Sequence, residues 1–195
     1  MYKRVIKPLC DWIIALIAFP FFLLIWIGVA IAIKLEDGGP VFYMAERIGK
    51  DSKKLMMYKF RSMKVNAENI TNPDGSTYNA KDDPRVTKVG RFLRETSLDE
   101  TAQVLNMLKG EMSLIGPRAS GWTALDSYLP DEVDKMKVRP GITGYTQAYF
   151  RNSISVREKR LYDAWYANHV SLALDVKIFF KTIATVLKHE NVYTN

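Results

Sequence analysis

The sequence predicts an α+β protein that is mainly helical, with one small β-hairpin and a long apolar segment near the N-terminus. No charged residue occurs from Trp12 to Ile33, several segments carry apolar residues at helical spacing, and two short apolar runs flank a polar link. A chain of 195 residues is long enough for one compact domain and an appendage. We therefore divide it into a membrane-associated segment, 1–36, and a folded domain, 37–195.

The composition is that of a folded basic protein. Hydrophobic residues make up 48% of the chain, charged residues 25%, and the formal net charge is +7. A basic surface can face nucleic acid, anionic lipid or a phosphorylated substrate. Cys10 is the single cysteine and there are two histidines, so an internal disulfide is excluded and a structural zinc site is not expected.

The N-terminal apolar stretch covers about 22 positions, which is enough to cross a bilayer. Pro20 lies near its middle and removes one helical hydrogen bond, so it kinks or breaks the helix. Either a kinked helix spans the membrane, or a broken helix enters and leaves by the same face. Basic residues flank both ends and mildly favour re-entry, because cytoplasmic flanks collect positive charge. Asp11 at the edge is assigned either to the headgroup region or to a helix cap.

A hairpin is predicted after this segment, with strands at 41–43 and 55–60 joined by a polar link at 49–52. Alternation puts Lys59 and Arg61 on one face and Tyr58 and Phe60 on the other. The two cations are candidates for binding phosphate, although a solvated face explains the same pattern. Region 66–84 is rich in turn residues and predicts a mobile surface loop, and 82–85 are expected to begin the next helix.

The next segment predicts a helix that Ser97 opens and Gly110 closes. Ser97 and Glu100 fit a capping box, in which each side chain bonds the other residue's backbone N–H. Asp99 and Glu100 lie in the first turn, where the helix dipole favours ionised carboxylates. They are either ordinary first-turn acids, or a nucleophile for phosphorus and a neighbour that holds a metal or moves a proton.

Arginines cluster around this helix in sequence. Arg94 precedes it, Arg118 follows a Gly-Pro turn, and Arg139 sits in a second turn that contains Pro and Gly. Arg151 ends an aromatic segment. Arginines on turns suit planar, bidentate contacts with phosphate, but surface arginines are common, so each one alone is weak support.

Two helices are predicted at the C-terminal end, over 156–168 and 172–187. Asp163 on the first is either a surface charge or a partner for an active-site arginine. The second helix is amphipathic, with basic residues on its polar sides, so its apolar face either packs on the core or lies in a membrane interface.

Five segments together resemble a known family, at 59–63, 83–94, 96–100, 108–118 and 138–144. They resemble the bacterial sugar transferases, which are monotopic phosphoglycosyl transferases, and they follow the family's order over nearly the whole chain. The resemblance is to the minimal form of the family. That form implies a re-entrant membrane helix broken at Pro20 and a catalytic domain on the cytoplasmic face of the bacterial inner membrane.

The resemblance also implies the reaction and its residues. Members move a sugar 1-phosphate from a UDP-sugar to polyprenyl phosphate, usually undecaprenyl phosphate, and release UMP. Asp99 corresponds to a nucleophile that forms a phosphosugar-aspartyl intermediate. Glu100 corresponds to its partner near the required Mg²⁺, so both carboxylates are candidate metal ligands. Arg94, Arg118 and Arg151 match positions that contact phosphate or nucleotide.

The chain departs from the family pattern at three places. Phe19-Pro20 replaces the usual Ser-Pro, Ala119 replaces the proline that often follows Gly-Pro-Arg, and 144–150 differ where the sugar is plausibly recognised. The donor sugar and the downstream glycan, whether capsule, exopolysaccharide or glycoprotein, stay open. The oligomeric state is open too, and a homodimer is one option.

Two rival functions are a membrane-anchored scaffold without enzymatic activity and a nucleic-acid binder. The first would release no UMP. The second would show strongly salt-dependent affinity for nucleic acid, but no groove-reading motif is present and the membrane segment argues against it.

Overall fold

The computed structural model of the chain describes residues 1–68, 70, 78, 80, 82–151 and 153–187. The α-helices of this part are α1 (Lys7–Glu36), α2 (Lys88–Glu95), α3 (Val104–Leu108), α4 (Tyr145–Tyr149), α5 (Val156–Asn168) and α6 (Leu172–Leu187). The strands are β1 (Phe42–Ile48), β2 (Lys54–Phe60), β3 (Ser113–Ile115) and β4 (Gly141–Thr143). The mainly helical class with small sheets is confirmed.

Helix α1 continues through Pro20, so the helix is not interrupted at this proline, and re-entry into the membrane stays a prediction. Proline removes only one backbone donor, and Phe19 and Phe22 pack on the domain on either side of it. Among the described residues, Tyr2–Glu36 is the one helical segment long and apolar enough to cross a membrane.

One face of α1 is buried along its whole length, whereas the rest is open. The buried residues recur at helical spacing: Lys7, Asp11, Ala15, Phe22, Val29 and Ile33. Large apolar side chains occupy the open side, among them Leu16, Ile17, Phe21 and Leu24. The helix therefore lies along the domain and leaves an apolar surface uncovered.

The hairpin is confirmed, and its first strand is longer than predicted. β1 and β2 are antiparallel over seven residue pairs, from Phe42 with Phe60 to Ile48 with Lys54. The ring of Phe60 stacks on Phe42 at 5.3 Å and on Phe22 of α1 at 5.9 Å between centroids. This aromatic contact fixes the hairpin against α1 in the larger core.

Helix α2 begins at Lys88, so the prediction that 82–85 start a helix is wrong. Thr87 is the N-cap, and its hydroxyl accepts a hydrogen bond from the Gly90 backbone N–H. The buried Asp83 instead holds a turn by pairing with Arg85 at 2.6 Å. Most of the loop predicted over 66–84 lies outside the described residues.

Two turns cross where β3 and β4 form a short parallel pair. The backbones come so close that a Cβ on Gly141 would lie 2.1 Å from the Gly116 nitrogen. Only glycine fits such a crossing. It brings the Gly-Pro-Arg turn that carries Arg118 beside the turn that carries Arg139.

Helices α5 and α6 have the predicted bounds. The capping box that begins α5 pairs Ser155 with Glu158. In α6 the buried side contains Asp175, Ile178 and Thr185, while the apolar face identified in the sequence is exposed, including Leu172, Val176, Phe179, Phe180 and Ile183. Packing of that face on the core is therefore wrong, and the interfacial alternative stays a prediction.

Candidate active site

Asp99 and Glu100 lie in a 3₁₀-helical segment, Leu98–Gln103, that leads into α3. The predicted capping box is wrong, because Ser97 has a φ of 57° and its side chain makes no capping hydrogen bond. Glu100 cannot return to the Ser97 backbone because its carboxylate binds Lys59 instead. Gly110, with a φ of 73°, does close the segment in the left-handed conformation predicted for it.

Two cations from other elements reach the carboxylates. Lys59 at the end of β2 lies 2.8 Å from Glu100 Oε1 and 3.9 Å from Asp99 Oδ2. Arg118 Nη2 lies 3.8 Å from Glu100 Oε1. The side chain of Asp99 is 13% exposed and that of Arg118 is 56% exposed. The pair is therefore a sheltered anionic centre beside an arginine that is open to solvent.

The two carboxylates titrate in opposite directions. Burial raises the pKa of Asp99, and Lys59 opposes this shift without reversing it. Burial also disfavours ionised Glu100, but Lys59 and Arg118 outweigh it and lower the pKa of that carboxyl to about 2. Glu100 is therefore a permanent anion, and Asp99 is the more basic oxygen donor of the two.

The hydrogen bonding of the pair is equally uneven. Glu100 accepts a hydrogen bond from Lys59, whereas Asp99 accepts none from the residues that the structure describes. A sheltered carboxylate without hydrogen-bond partners needs a functional or structural reason. Its oxygens are free for a metal ion or an electrophile.

The dyad also fits a Mg²⁺ ion by the nature of its donors. This ion is bound in proteins by one or two carboxylates, with water and substrate phosphate completing its shell. Asp99 and Glu100 supply two adjacent carboxylates. Within the described part of the chain, no group of three or more His, Cys, Asp or Glu side chains is placed to hold a metal by itself.

Arg47 belongs to this site and was not identified from the sequence. Burial lowers the pKa of its guanidinium, as does the nearby Arg118, and it interacts electrostatically with Glu100. Its Nε is buried and without a hydrogen-bond partner in the described structure. Strand alternation was the available signal, because Arg47 shares a face of β1 with the buried Ala45.

Of the remaining predicted substrate-binding arginines, Arg94 lies near the dyad, whereas Arg61 and Arg139 are paired with carboxylates elsewhere. Arg94 on α2 donates to Ser62 at 2.9 Å and is close enough to Asp99 to lower its pKa. Arg61 is instead paired with Asp37 at 2.8 Å, just after α1. Arg139 is paired with Asp11 of α1 at 3.0 Å. Arg151 lies two residues after the end of α4, in a left-handed conformation with a φ of 49°.

Asp163 is fully buried, so the prediction of a surface charge is wrong. Its carboxylate binds Lys135 at 3.1 Å, the Thr146 hydroxyl at 3.1 Å and the backbone N–H of Arg118 at 3.2 Å. The contact with Arg118 is to its backbone rather than its guanidinium. Asp163 therefore fixes the turn that presents Arg118 to Glu100.

Comparison with known proteins identifies the family. Residues 2–189 match the family described as bacterial sugar transferase. The chain is 36% identical to the undecaprenyl-phosphate galactose phosphotransferase of Salmonella typhimurium, over 98% of this chain and 41% of that protein. It is 40% identical to the UDP-N-acetylgalactosamine-undecaprenyl-phosphate N-acetylgalactosaminephosphotransferase of Aeromonas hydrophila, over 93% and 44% respectively.

The chain thus spans less than half the length of these two relatives. It matches 88% of the exopolysaccharide production protein ExoY of Rhizobium meliloti, with 37% identity over 99% of this chain. The match to the family covers the dyad, the hairpin and the crossed turns described above. The chain belongs to the bacterial sugar transferase family.

Proposed function

We propose that this chain transfers a sugar 1-phosphate from a UDP-sugar to undecaprenyl or a similar polyprenyl phosphate and releases UMP. The activities for which the Salmonella and Aeromonas relatives are named support this substrate class. The observation that carries it here is Asp99, a sheltered carboxylate with free oxygens beside Lys59, Glu100 and Arg118. Such a group is a suitable nucleophile for phosphorus.

The transfer has two steps in this proposal. An ionised Asp99 oxygen attacks the sugar-bearing phosphorus, and the bond from that phosphorus to the bridging oxygen breaks, so that UMP leaves with this oxygen. An oxygen of the lipid phosphate then attacks the same phosphorus. The aspartyl–phosphorus bond breaks, which regenerates the carboxylate and leaves a polyprenyl diphosphosugar.

Cations of the site offset the charge of the donor. The guanidinium of Arg118 is exposed and has donors to offer a diphosphate, and Arg47 adds a second positive charge beside it. Lys59 keeps Glu100 ionised and orients it next to Asp99. A Mg²⁺ held by Asp99, Glu100 and the donor phosphates would stabilise the charge that develops on the diphosphate.

The packing of α1 supports a monotopic arrangement at the membrane. At one end Lys7 binds Asp175 at 2.7 Å, and at the other the Glu36 carboxylate accepts from the Lys88 backbone N–H at 2.7 Å. A helix that crossed a bilayer would place its two ends on opposite sides of the membrane, but here both ends are bound to one domain. We infer that the open apolar side of α1 lies in one leaflet, with the domain on the cytoplasmic face of the inner membrane.

The test is UMP release from a panel of UDP-sugars by the full chain in membranes, with Mg²⁺, first without and then with polyprenyl phosphate. A covalent mechanism predicts about one UMP per enzyme from the donor alone, an aspartyl adduct detectable by mass spectrometry, and turnover once acceptor is added. Asp99→Asn should abolish both, while Asp126→Asn, at an exposed residue, serves as a matched control. UMP release that strictly requires the acceptor, with no adduct, would refute the intermediate.

A further inference from the structure

A second cationic site lies beside the start of α1. It is a cleft of about 520 Å³, and its lining contains neither carboxylate of the dyad nor Lys59, Arg94 or Arg118. Segments distant in sequence meet there, from the N-terminus, the hairpin turn and the turn before β4. The cations that line it are Lys3, Arg4, Lys7, Lys50, Lys137 and Arg139.

The carboxylates around the cleft neutralise only part of this charge. Asp51 is the one carboxylate among the described residues that line the cleft. Four cations have carboxylate partners at 2.7–3.8 Å: Lys7 with Asp175, Arg139 with Asp11, Lys137 with Asp134 and Lys50 with Asp51. Lys3 and Arg4 form no ion pair within the described ranges, and Lys3 donates to the Ala167 carbonyl at 2.8 Å.

The unpaired cations also repel their neighbours. Burial lowers the pKa of Lys3, and the nearby charges of Lys137, Lys50 and Arg4 lower it further, while Asp134 opposes them in part. An anion with one or two negative charges in the cleft would relieve this repulsion and find several N–H donors within reach. A phosphate group carries such a charge and offers several acceptor oxygens to these donors.

The position of the cleft selects the kind of phosphate. The residues of α1 that follow it expose apolar side chains, including Leu9 and Ile13, and the indole of Trp12 is 47% exposed. Tryptophan is typical of the depth at which membrane and water meet. If the open side of α1 lies in a leaflet, as proposed above, the cleft opens at the level of the lipid headgroups.

We propose that this cleft binds the phosphate of an anionic lipid headgroup and so anchors the start of α1 against the domain. The assignment depends on the membrane placement of α1 but not on the transfer chemistry. It adds to the enzyme a lipid site that takes no part in the reaction. The enzyme should therefore prefer membranes that contain anionic lipid, independently of its donor and acceptor.

The test measures lipid binding to the detergent-solubilised full chain, without substrates. We would titrate phosphatidylglycerol, phosphatidylcholine and inorganic phosphate, and follow retained lipid by native mass spectrometry and thermal stability. The variant is Arg4→Gln/Lys50→Gln, and the matched control is Lys64→Gln/Lys88→Gln, which removes two exposed cations outside the cleft.

Phosphatidylglycerol should bind and stabilise the unmodified chain more than phosphatidylcholine does. The cleft variant should bind phosphatidylglycerol more weakly by about fivefold for each cation removed, and the control should not. Equal stabilisation by inorganic phosphate would overturn the lipid assignment, as would an unchanged affinity of the cleft variant. A rise in its KM for polyprenyl phosphate by the same factor would show that the cleft is the acceptor site, and would overturn its separation from the reaction.

Discussion

Two groups of buried carboxylates in this protein differ in how completely they are hydrogen-bonded. Asp175 of α6 accepts from the Tyr2 hydroxyl at 2.6 Å, from Lys7 at 2.7 Å and from the Tyr166 hydroxyl at 2.6 Å. Asp99 accepts no hydrogen bond from the described residues, and the nearest ion-pair partner among them is Lys59, at 3.9 Å. A saturated buried carboxylate fixes the elements that its partners belong to, whereas an unsaturated one keeps its lone pairs for something else.

Asp11 resembles Asp175 in accepting several hydrogen bonds. It accepts from the Ser113 hydroxyl at 2.8 Å, from the Leu114 backbone N–H at 3.0 Å and from Arg139 at 3.0 Å. Through these two carboxylates, α1 is bound to β3, to the turn before β4 and to α6. The difference teaches that acidity and burial alone do not identify a reactive residue, and that the count of hydrogen bonds separates the two roles.

The largest expected effect is on turnover by Asp99→Asn. The substitution keeps the shape of the side chain but removes the nucleophile, so the transfer rate should fall by at least about 10³-fold. Thermal stability should stay within a few degrees of the unmodified chain, because no hydrogen bond is lost. Transfer and melting of the same preparation, measured side by side, check this. A large stability loss would place Asp99 with the structural carboxylates.

Asp175→Asn should show the opposite pattern. Removal of one charge leaves Lys7 buried without its counter-ion, which costs about 3–5 kcal/mol of stability. Turnover per folded molecule should remain close to normal, because Asp175 contacts none of the dyad residues. Thermal unfolding and active-site titration separate the two quantities. A loss of turnover without a loss of stability would contradict the comparison.

Asp11→Asn should lower the stability of the fold more than Asp99→Asn does and less than Asp175→Asn does. It weakens the ion pair to Arg139 and should destabilise the fold by about 1.5–3 kcal/mol, the range for hydrogen bonds to charged groups. Arg139→Gln should cost a similar amount if its main role is this pair, with the KM for the UDP-sugar unchanged. A rise in KM for Arg139→Gln alone would restore the substrate-binding role that the sequence indicated.

Lys59→Gln tests the electrostatics of the dyad through pH. Burial already raises the pKa of Asp99, and Lys59 is the main group that opposes it, so its removal should raise that pKa further. Asp99 is a nucleophile only when ionised, and its activity is lost as the pH falls through its pKa. The acidic limb of the pH profile of kcat/KM should therefore move to higher pH. The exposed Lys54→Gln should not move it.

The smallest effect concerns Ser97. Its left-handed backbone costs roughly 1–2 kcal/mol for a residue with a Cβ, whereas glycine adopts it freely. Ser97→Gly should therefore stabilise the fold by up to about 1 kcal/mol after the greater entropy of glycine in the unfolded chain is subtracted. If Ser97 formed a capping box, the same substitution would instead destabilise the fold by a few tenths of a kcal/mol. Chemical denaturation distinguishes the two signs.

Sequence reasoning predicted the features that depend on local pattern. The bounds of α5 and α6, the hairpin and the left-handed Gly110 follow from periodicity and turn residues. The family resemblance singled out Asp99 and Glu100. In the structure, Lys59, Arg94 and Arg118 lie around them, and the sequence had indicated all three as candidates for binding phosphate.

Features that depend on distant partners were missed. The parallel pair of β3 and β4 has three residues in each strand, too few for a local signal, and exists because two glycines let the turns cross. The 3₁₀ segment at the dyad replaces a capped helix because Lys59, 41 residues away, takes the Glu100 carboxylate. Asp11 neither caps a helix nor faces headgroups, since Arg139 and Ser113 bind it.

The ion pair between Lys7 and Asp175 joins residues 168 positions apart, so it has a consequence for the order of events on the ribosome. When α1 has been made, its partner on α6 has not yet been synthesised. In the membrane placement proposed above, lipid would cover the N-terminal helix first, and its contact with α6 would form after its contacts with the hairpin and β3. The buried pair forms only when α6 has been made, so a chain stalled before α6 would leave Lys7 without its carboxylate partner.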